Sequence, residues 1–118
     1  MNENKHKILN VGLIGCGLIG QKRAKALSKC KIGKLIACAD INSNRVKILS
    51  NNTGAKIYDN WSKIVSSKEI DVVIVATTHD SLAEITKSAV KHKKHVLVEK
   101  PAARNASELN SVISIVKD

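Results

Sequence analysis

Phenylalanine is missing altogether from this 118-residue chain, and one Trp and one Tyr are its only aromatic residues. So few rings exclude the stacked platforms by which proteins hold single-stranded nucleic acid. They also leave the core to Ile, Val, Leu and Ala, which suits strands buried on both faces of a parallel sheet. Cysteine is nearly as scarce. Cys16, Cys30 and Cys38 stand at spacings that fit neither a metal site nor a redox pair. No metal is therefore expected, and a reduced, cytoplasmic setting is. Long apolar runs are absent as well. Lys5-His6-Lys7 and the stretch ending in Leu13-Ile14-Gly15-Cys16 imitate a bacterial lipoprotein signal, but Asn10 and Gly12 make it a poor signal core. No membrane association is expected.

What the chain does have is alternation. Short apolar runs alternate with helical patterns along its length, the mark of βαβ units and a parallel sheet. Strand-like runs fall at residues 8–14, 35–40, 56–58, 72–76 and 96–98. Helical patterns lie between them: residues 18–30, a segment from a cap at Asn42 or Ser43 to a stop at Gly54, and a turn after Asp59 or Asn60. Two more cover residues 81–92 and 106–117. No repeat, low-complexity segment or linker divides the chain, so residues 1–118 read as one domain. The expected fold is a Rossmann-type α/β doubly wound parallel sheet with helices on both faces, truncated before a sixth strand. Strand five then becomes an edge with unpaired backbone groups, and marginal stability or edge-to-edge association is expected.

Gly15-Cys16-Gly17-Leu18-Ile19-Gly20 directly follows the first strand and opens the first helix, and Asp40 stands twenty residues beyond Gly20 at the end of the second strand. G-x-G-x-x-G in that setting, with an acid at that distance, reads as a dinucleotide-binding fingerprint. Gly15 permits the tight turn, Gly17 lets backbone approach a pyrophosphate, and Gly20 lets the helix pack closely. The helix start at Leu18 and Ile19 offers unpaired N–H groups and a positive dipole end to the phosphates. Asp40 would accept hydrogen bonds from the adenosine ribose hydroxyls. An ordinary turn with a helix-capping Asp40 explains each element but not their spacing.

Charge is the remaining oddity. Twenty Lys and Arg face ten Asp and Glu, for a net charge of +10. The lysines lie in nearly every predicted helix, and the densest cluster, Lys91-His92-Lys93-Lys94-His95, sits at a helix end where cations favour the dipole. No nucleic-acid partner is expected; the surplus can help to attract an anionic cofactor.

Two further motifs carry a family resemblance. Glu69-Ile70-Asp71-Val72-Val73-Ile74-Val75-Ala76-Thr77-Thr78 forms the fourth strand and its following loop. Lys94-His95-Val96-Leu97-Val98-Glu99-Lys100-Pro101 forms the fifth and ends in Glu-Lys-Pro. With the opening Val11-Gly12-Leu13-Ile14-Gly15-Cys16-Gly17, the chain from Lys7 onward resembles the N-terminal domain of the Gfo/Idh/MocA oxidoreductases. The resemblance implies a nicotinamide-dependent enzyme acting on a hydroxyl of a sugar, cyclitol or nucleotide sugar. It places Lys100 beside the nicotinamide as the catalytic cation that polarises the substrate hydroxyl. Pro101 would follow a peptide bond that is often cis in this family, and Glu99, Ala76, Thr77, Thr78 and His79 would lie around the same cofactor. The chain departs from the family in three places. Thr78 replaces the usual proline, Leu82 stands where a histidine is common, and Lys93 takes a glycine position at a helix end, at a cost of about 1 kcal/mol.

Asp40 favours NAD over NADP, since a 2′-phosphate beside a carboxylate meets repulsion of about 1 kcal/mol in water and about 4 at an intermediate dielectric. Arg45 is the counterweight, because an arginine near the ribose can accept a 2′-phosphate; within the second helix it is expected to face solvent or the adenine edge. The family's substrate domain is absent from these residues. The expectation is a chain that binds NAD without turnover, as half of a homo-oligomeric oxidoreductase. The alternative is a non-catalytic NAD-binding module that senses redox state or docks a partner.

Overall fold

The structure is a computed structural model; it describes residues 8–77 and 79–98, the side chains of His79, Asp80 and Leu82 excepted. The elements run β1 (Leu9–Ile14), α1 (Leu18–Ser28), β2 (Gly33–Ala39), α2 (Ser43–Thr53), β3 (Lys56–Ile57), α3 (Trp61–Val65), β4 (Val72–Val75), α4 (His79–Lys91) and β5 (His95–Val98). They form one sheet in the order β3-β2-β1-β4-β5, every pair parallel. This is the expected Rossmann-like architecture. The helix read at 106–117 lies outside the described residues.

Period-two alternation divides the core. Leu9, Val11 and Leu13 of β1, with Val72 and Ile74 of β4, pack against Leu27 of α1 and Leu49 of α2. Ile14, Val73 and Val75 point the other way, onto Ile64 and Val65 of α3 and Ile85 and Ala89 of α4. Each such side chain contributes about 1.5–3 kcal/mol by leaving water. Helices thus cover both faces, and β1 and β4 are buried on both sides without any phenylalanine.

The caps explain where the helices begin and end. Asn42 Oδ1 accepts from the Arg45 N–H at 3.0 Å and opens α2, which Gly54 closes in the left-handed region at φ 82°. Asn60 Oδ1 accepts from the Ser62 N–H at 2.8 Å and opens α3. Asp59 serves elsewhere, pairing with Lys63 at 3.0 Å. Several boundaries differ from the sequence expectation by one or two residues. Residue 33 already belongs to β2, because Gly33 pairs with Leu9. Helix α1 stops at Ser28, with Lys29 in the cap position. Helix α4 starts at His79, two residues before the expected start, so Ser81 lies inside its first turn.

Lys93 keeps the left-handed conformation that the family gives to glycine, at φ 61°. Its N–H bonds to Val90 O at 2.9 Å and the Lys94 N–H to Ala89 O at 3.0 Å, the paired bonds of a Schellman ending. The Lys94 ammonium then reaches back to Ser67 O and Ile70 O, tying α4 to the connection before β4. Burial lowers the pKa of that ammonium, and Asp71 pulls it partly back. Part of the basic cluster at residues 91–95 is therefore structural.

Lys94→Met should lower stability by about 1–3 kcal/mol, because two carbonyls lose their donor. Lys93→Gly should raise it by up to about 1 kcal/mol by relieving the left-handed backbone. Urea unfolding of the two variants checks both signs.

Candidate functional site

Strands β1 and β4 are neighbours from which the chain winds off in opposite directions, and a crevice forms beyond their carboxyl ends at such a switch point. Here it is a cleft of about 420 Å³ lined by Ile14 and Ala39, the last residues of β1 and β2, and by Ala76, which directly follows β4.

One wall is the glycine turn. Gly15 has φ +100°, and a Cβ on it would stand 2.5 Å from Ala76 O. A side chain there would drive β1 and β4 apart. A Cβ on Gly20 would overlap the Gly15 carbonyl, so α1 rests directly on the turn. Gly17, the N-cap of α1, offers no side-chain acceptor to the helix, and the first turn carries no acid. The first helical bond runs from the Gln21 N–H to Gly17 O at 2.9 Å. The N–H groups at Leu18 and Ile19 thus begin a helix that has its positive dipole end uncapped, a ready site for an anion. Leu18 and Ile19 expose their side chains, while Gly20 is buried.

Asp40 closes the other side. Its Oδ2 accepts from the Cys16 N–H at 2.6 Å and its Oδ1 from the Asn42 N–H at 2.8 Å. The carboxylate therefore braces the turn, and each oxygen keeps a further lone pair for a ligand hydroxyl. Arg45 reaches across from α2: its Nη1 would lie 3.4 Å from a Cβ on Gly17. Arg45 lines the cleft beside the turn and is exposed there, as expected of a residue facing solvent or the adenine edge. Thr77 Oγ1, also lining the cleft, is buried with no hydrogen-bond partner among the described residues. The donor set fits a dinucleotide: uncapped N–H groups and a guanidinium for phosphates, a carboxylate for ribose, an orphan hydroxyl nearby.

Behind the turn lie two buried thiols. Hydrogen bonding with Cys38, then burial, pushes the Cys16 thiol well up, while the same hydrogen bond lowers Cys38. Both are core residues of the α1–α2 side. Among the described residues no cluster of three or more His, Cys, Asp or Glu is placed to hold a metal, and no helix is long and apolar enough to cross a membrane.

The structure brings Gly15, Gly17, Asp40, Arg45, Ala76 and Thr77 to one cleft. Thr78, Glu99, Lys100 and Pro101 lie outside the described residues, as does the His79 side chain. Lining residues that the sequence reading missed are Ile41, Asp59, Asn60, Trp61, Ser81 and Ile85. The topology held a signal for three of them: in a parallel sheet all carboxyl ends share one edge, so Asp59-Asn60-Trp61, after β3, belongs beside Asp40.

A family model described as an oxidoreductase family, NAD-binding Rossmann fold, matches residues 9–118. The chain belongs to the Gfo/Idh/MocA oxidoreductases. Inositol 2-dehydrogenase of Serratia proteamaculans is 33% identical over 108 residues, covering 89% of this chain and 32% of that protein. The myo-inositol 2-dehydrogenase structure from Lactobacillus plantarum superposes with a TM-score of 0.75 at 26% identity, over 94% of this chain and 33% of its own. A levoglucosan dehydrogenase in complex with NADH and L-sorbose does so at 0.73 and 29%, over 95% and 32%. The chain spans about a third of the length of these relatives. Within this Gfo/Idh/MocA chain, residues 9–118 match the NAD-binding Rossmann domain.

The two glycines should part company on substitution. Gly20→Ala should cost about 1–3 kcal/mol, because the added carbon meets backbone. Gly17→Ala should stay within about 0.5 kcal/mol, meeting only the tip of Arg45. Thermal unfolding of the pair measures the difference. In native protein, alkylation of Cys16 and Cys38 should lag far behind that of half-buried Cys30, as mass mapping of labelled peptides would show.

Proposed function

We propose that this chain supplies the cofactor-binding half of an oxidoreductase that moves a hydride between a nicotinamide dinucleotide and a hydroxyl of a sugar, cyclitol or nucleotide sugar. The observation that carries the reading is the uncapped start of α1 lying between Gly17, where no Cβ fills the cleft, and the Asp40 carboxylate. The N–H groups at Leu18 and Ile19 would hold the pyrophosphate, with Arg45 beside it. Asp40 would hold the adenosine ribose, and Ala76, Thr77, Thr78 and His79 would continue the wall toward the nicotinamide. The bound nicotinamide supplies the hydride acceptor or donor. Lys100, in Glu99-Lys100-Pro101, would present its ammonium to the substrate hydroxyl and steady the charge that develops on that oxygen.

The substrate class rests on relatives named as inositol 2-dehydrogenases and on a levoglucosan dehydrogenase structure. NAD is the preferred cofactor in this reading, because a 2′-phosphate would approach Asp40. The chain spans about a third of the length of these relatives, and in this reading it binds cofactor without turning over.

Isothermal titration with NADH and NADPH tests the reading. Clear NADH binding is expected, with weaker NADPH binding. Asp40→Asn should weaken NADH about tenfold, the loss of one charge-assisted hydrogen bond, and should narrow the gap to NADPH. Unchanged affinity for both cofactors would remove Asp40 from the site. Rapid oxidation of myo-inositol by this chain with NAD would refute binding without turnover.

A further inference from the structure

The cationic surplus is not spread evenly once the chain is folded. Residues 15–58, which form α1, β2, α2 and β3, carry nine Lys and Arg and one carboxylate, Asp40. Residues 59–98 carry six Lys and five Asp and Glu. The two helical layers of the sheet therefore differ sharply: α3 and α4 are nearly balanced, whereas α1 and α2 are almost purely basic. Like charges with no acid among them raise a positive potential over their face.

The layer also has a direction. Helices α1 and α2 both start at the cleft edge of the sheet. Lys22 and Lys25 lie about 6 and 10 Å along α1 from that edge, and Lys47 about 6 Å along α2. All three are exposed, and none lines the cleft. Lys22 and Lys47 stand within about one Debye length of it at physiological salt, and Lys25 a little beyond. Lys31 and Lys34 lie at the opposite end of β2, about 23 Å away.

We infer that the exposed lysines at the cleft end of α1 and α2 steer anionic dinucleotides into the site, setting how fast a cofactor arrives rather than how fast it leaves. The inference rests on the cofactor reading above and sharpens it. Attraction acts more strongly on NADPH, which carries an additional phosphate, whereas Asp40 repels that phosphate only at contact. NADPH then arrives at least as fast as NADH and leaves faster. The NAD preference is lodged in dissociation.

Stopped-flow mixing of the chain with NADH or NADPH, read by dihydronicotinamide fluorescence at about 20 mM and about 500 mM NaCl, separates the two rates. Association should slow about tenfold at the higher salt, more for NADPH, with dissociation changed less than about twofold. Lys22→Gln/Lys25→Gln/Lys47→Gln should slow association at about 150 mM NaCl, where the far end of the sheet is screened, at least about twofold. Lys31→Gln/Lys34→Gln/Lys68→Gln removes the same charge at the far end of the sheet and should leave the rate nearly unchanged. Circular dichroism of both variants confirms that they fold. Equal effects of the two triples, or association indifferent to salt, would overturn the steering while leaving the cofactor site intact. No binding of either dinucleotide at any salt would overturn both.

Discussion

Contact between bare backbones is the constraint on which this structure depends. At the end of β1 the chain turns through Gly15 so close to Ala76 that a single methyl carbon would not fit, and α1 then settles on the same turn through Gly20. That double contact holds the ends of β1 and β4 together while the chain winds away on either side. The cleft, the uncapped helix start and the approach to Gly17 all follow from it. No comparable apolar packing could do this, because side chains would hold the three segments too far apart.

Asp40 shows how the turn and the ribose side are joined. Its carboxylate is already bonded to the Cys16 N–H, so the acid is part of the scaffold before any ligand is present. A ligand hydroxyl meets an acceptor whose position is fixed by the turn that receives the phosphates. Geometry at one end of the site is therefore transmitted to the other through one short hydrogen bond. The thiols of Cys16 and Cys38 behind it are fully buried in the core.

Much of this was legible in the sequence, and for definable reasons. The five strands were readable because β1 and β4 are buried on both faces and appear as unbroken apolar runs. The glycine turn and Asp40 were readable because their spacing reflects a strand, a turn and a helix of nearly fixed length. Asp59, Asn60, Trp61, Ser81 and Ile85 were not, because they reach the cleft only through sheet order, which no local pattern records. Arg45 was placed in the correct helix but not against Gly17, since which way a long side chain lies depends on what faces it across the gap. Lys93 shows the opposite case, where a sequence departure left the local geometry unchanged and moved the cost into the backbone.

The near-absence of aromatic rings has an optical consequence. Trp61, the sole indole of the chain, is half-buried at the start of α3 and lines the cleft together with Asp40 and Arg45. Its emission band overlaps the absorption band of a reduced nicotinamide, and there is no second tryptophan to dilute the signal. Energy transfer from one indole to one ring would make the protein its own reporter, with no label attached and every photon originating at the wall of the cleft.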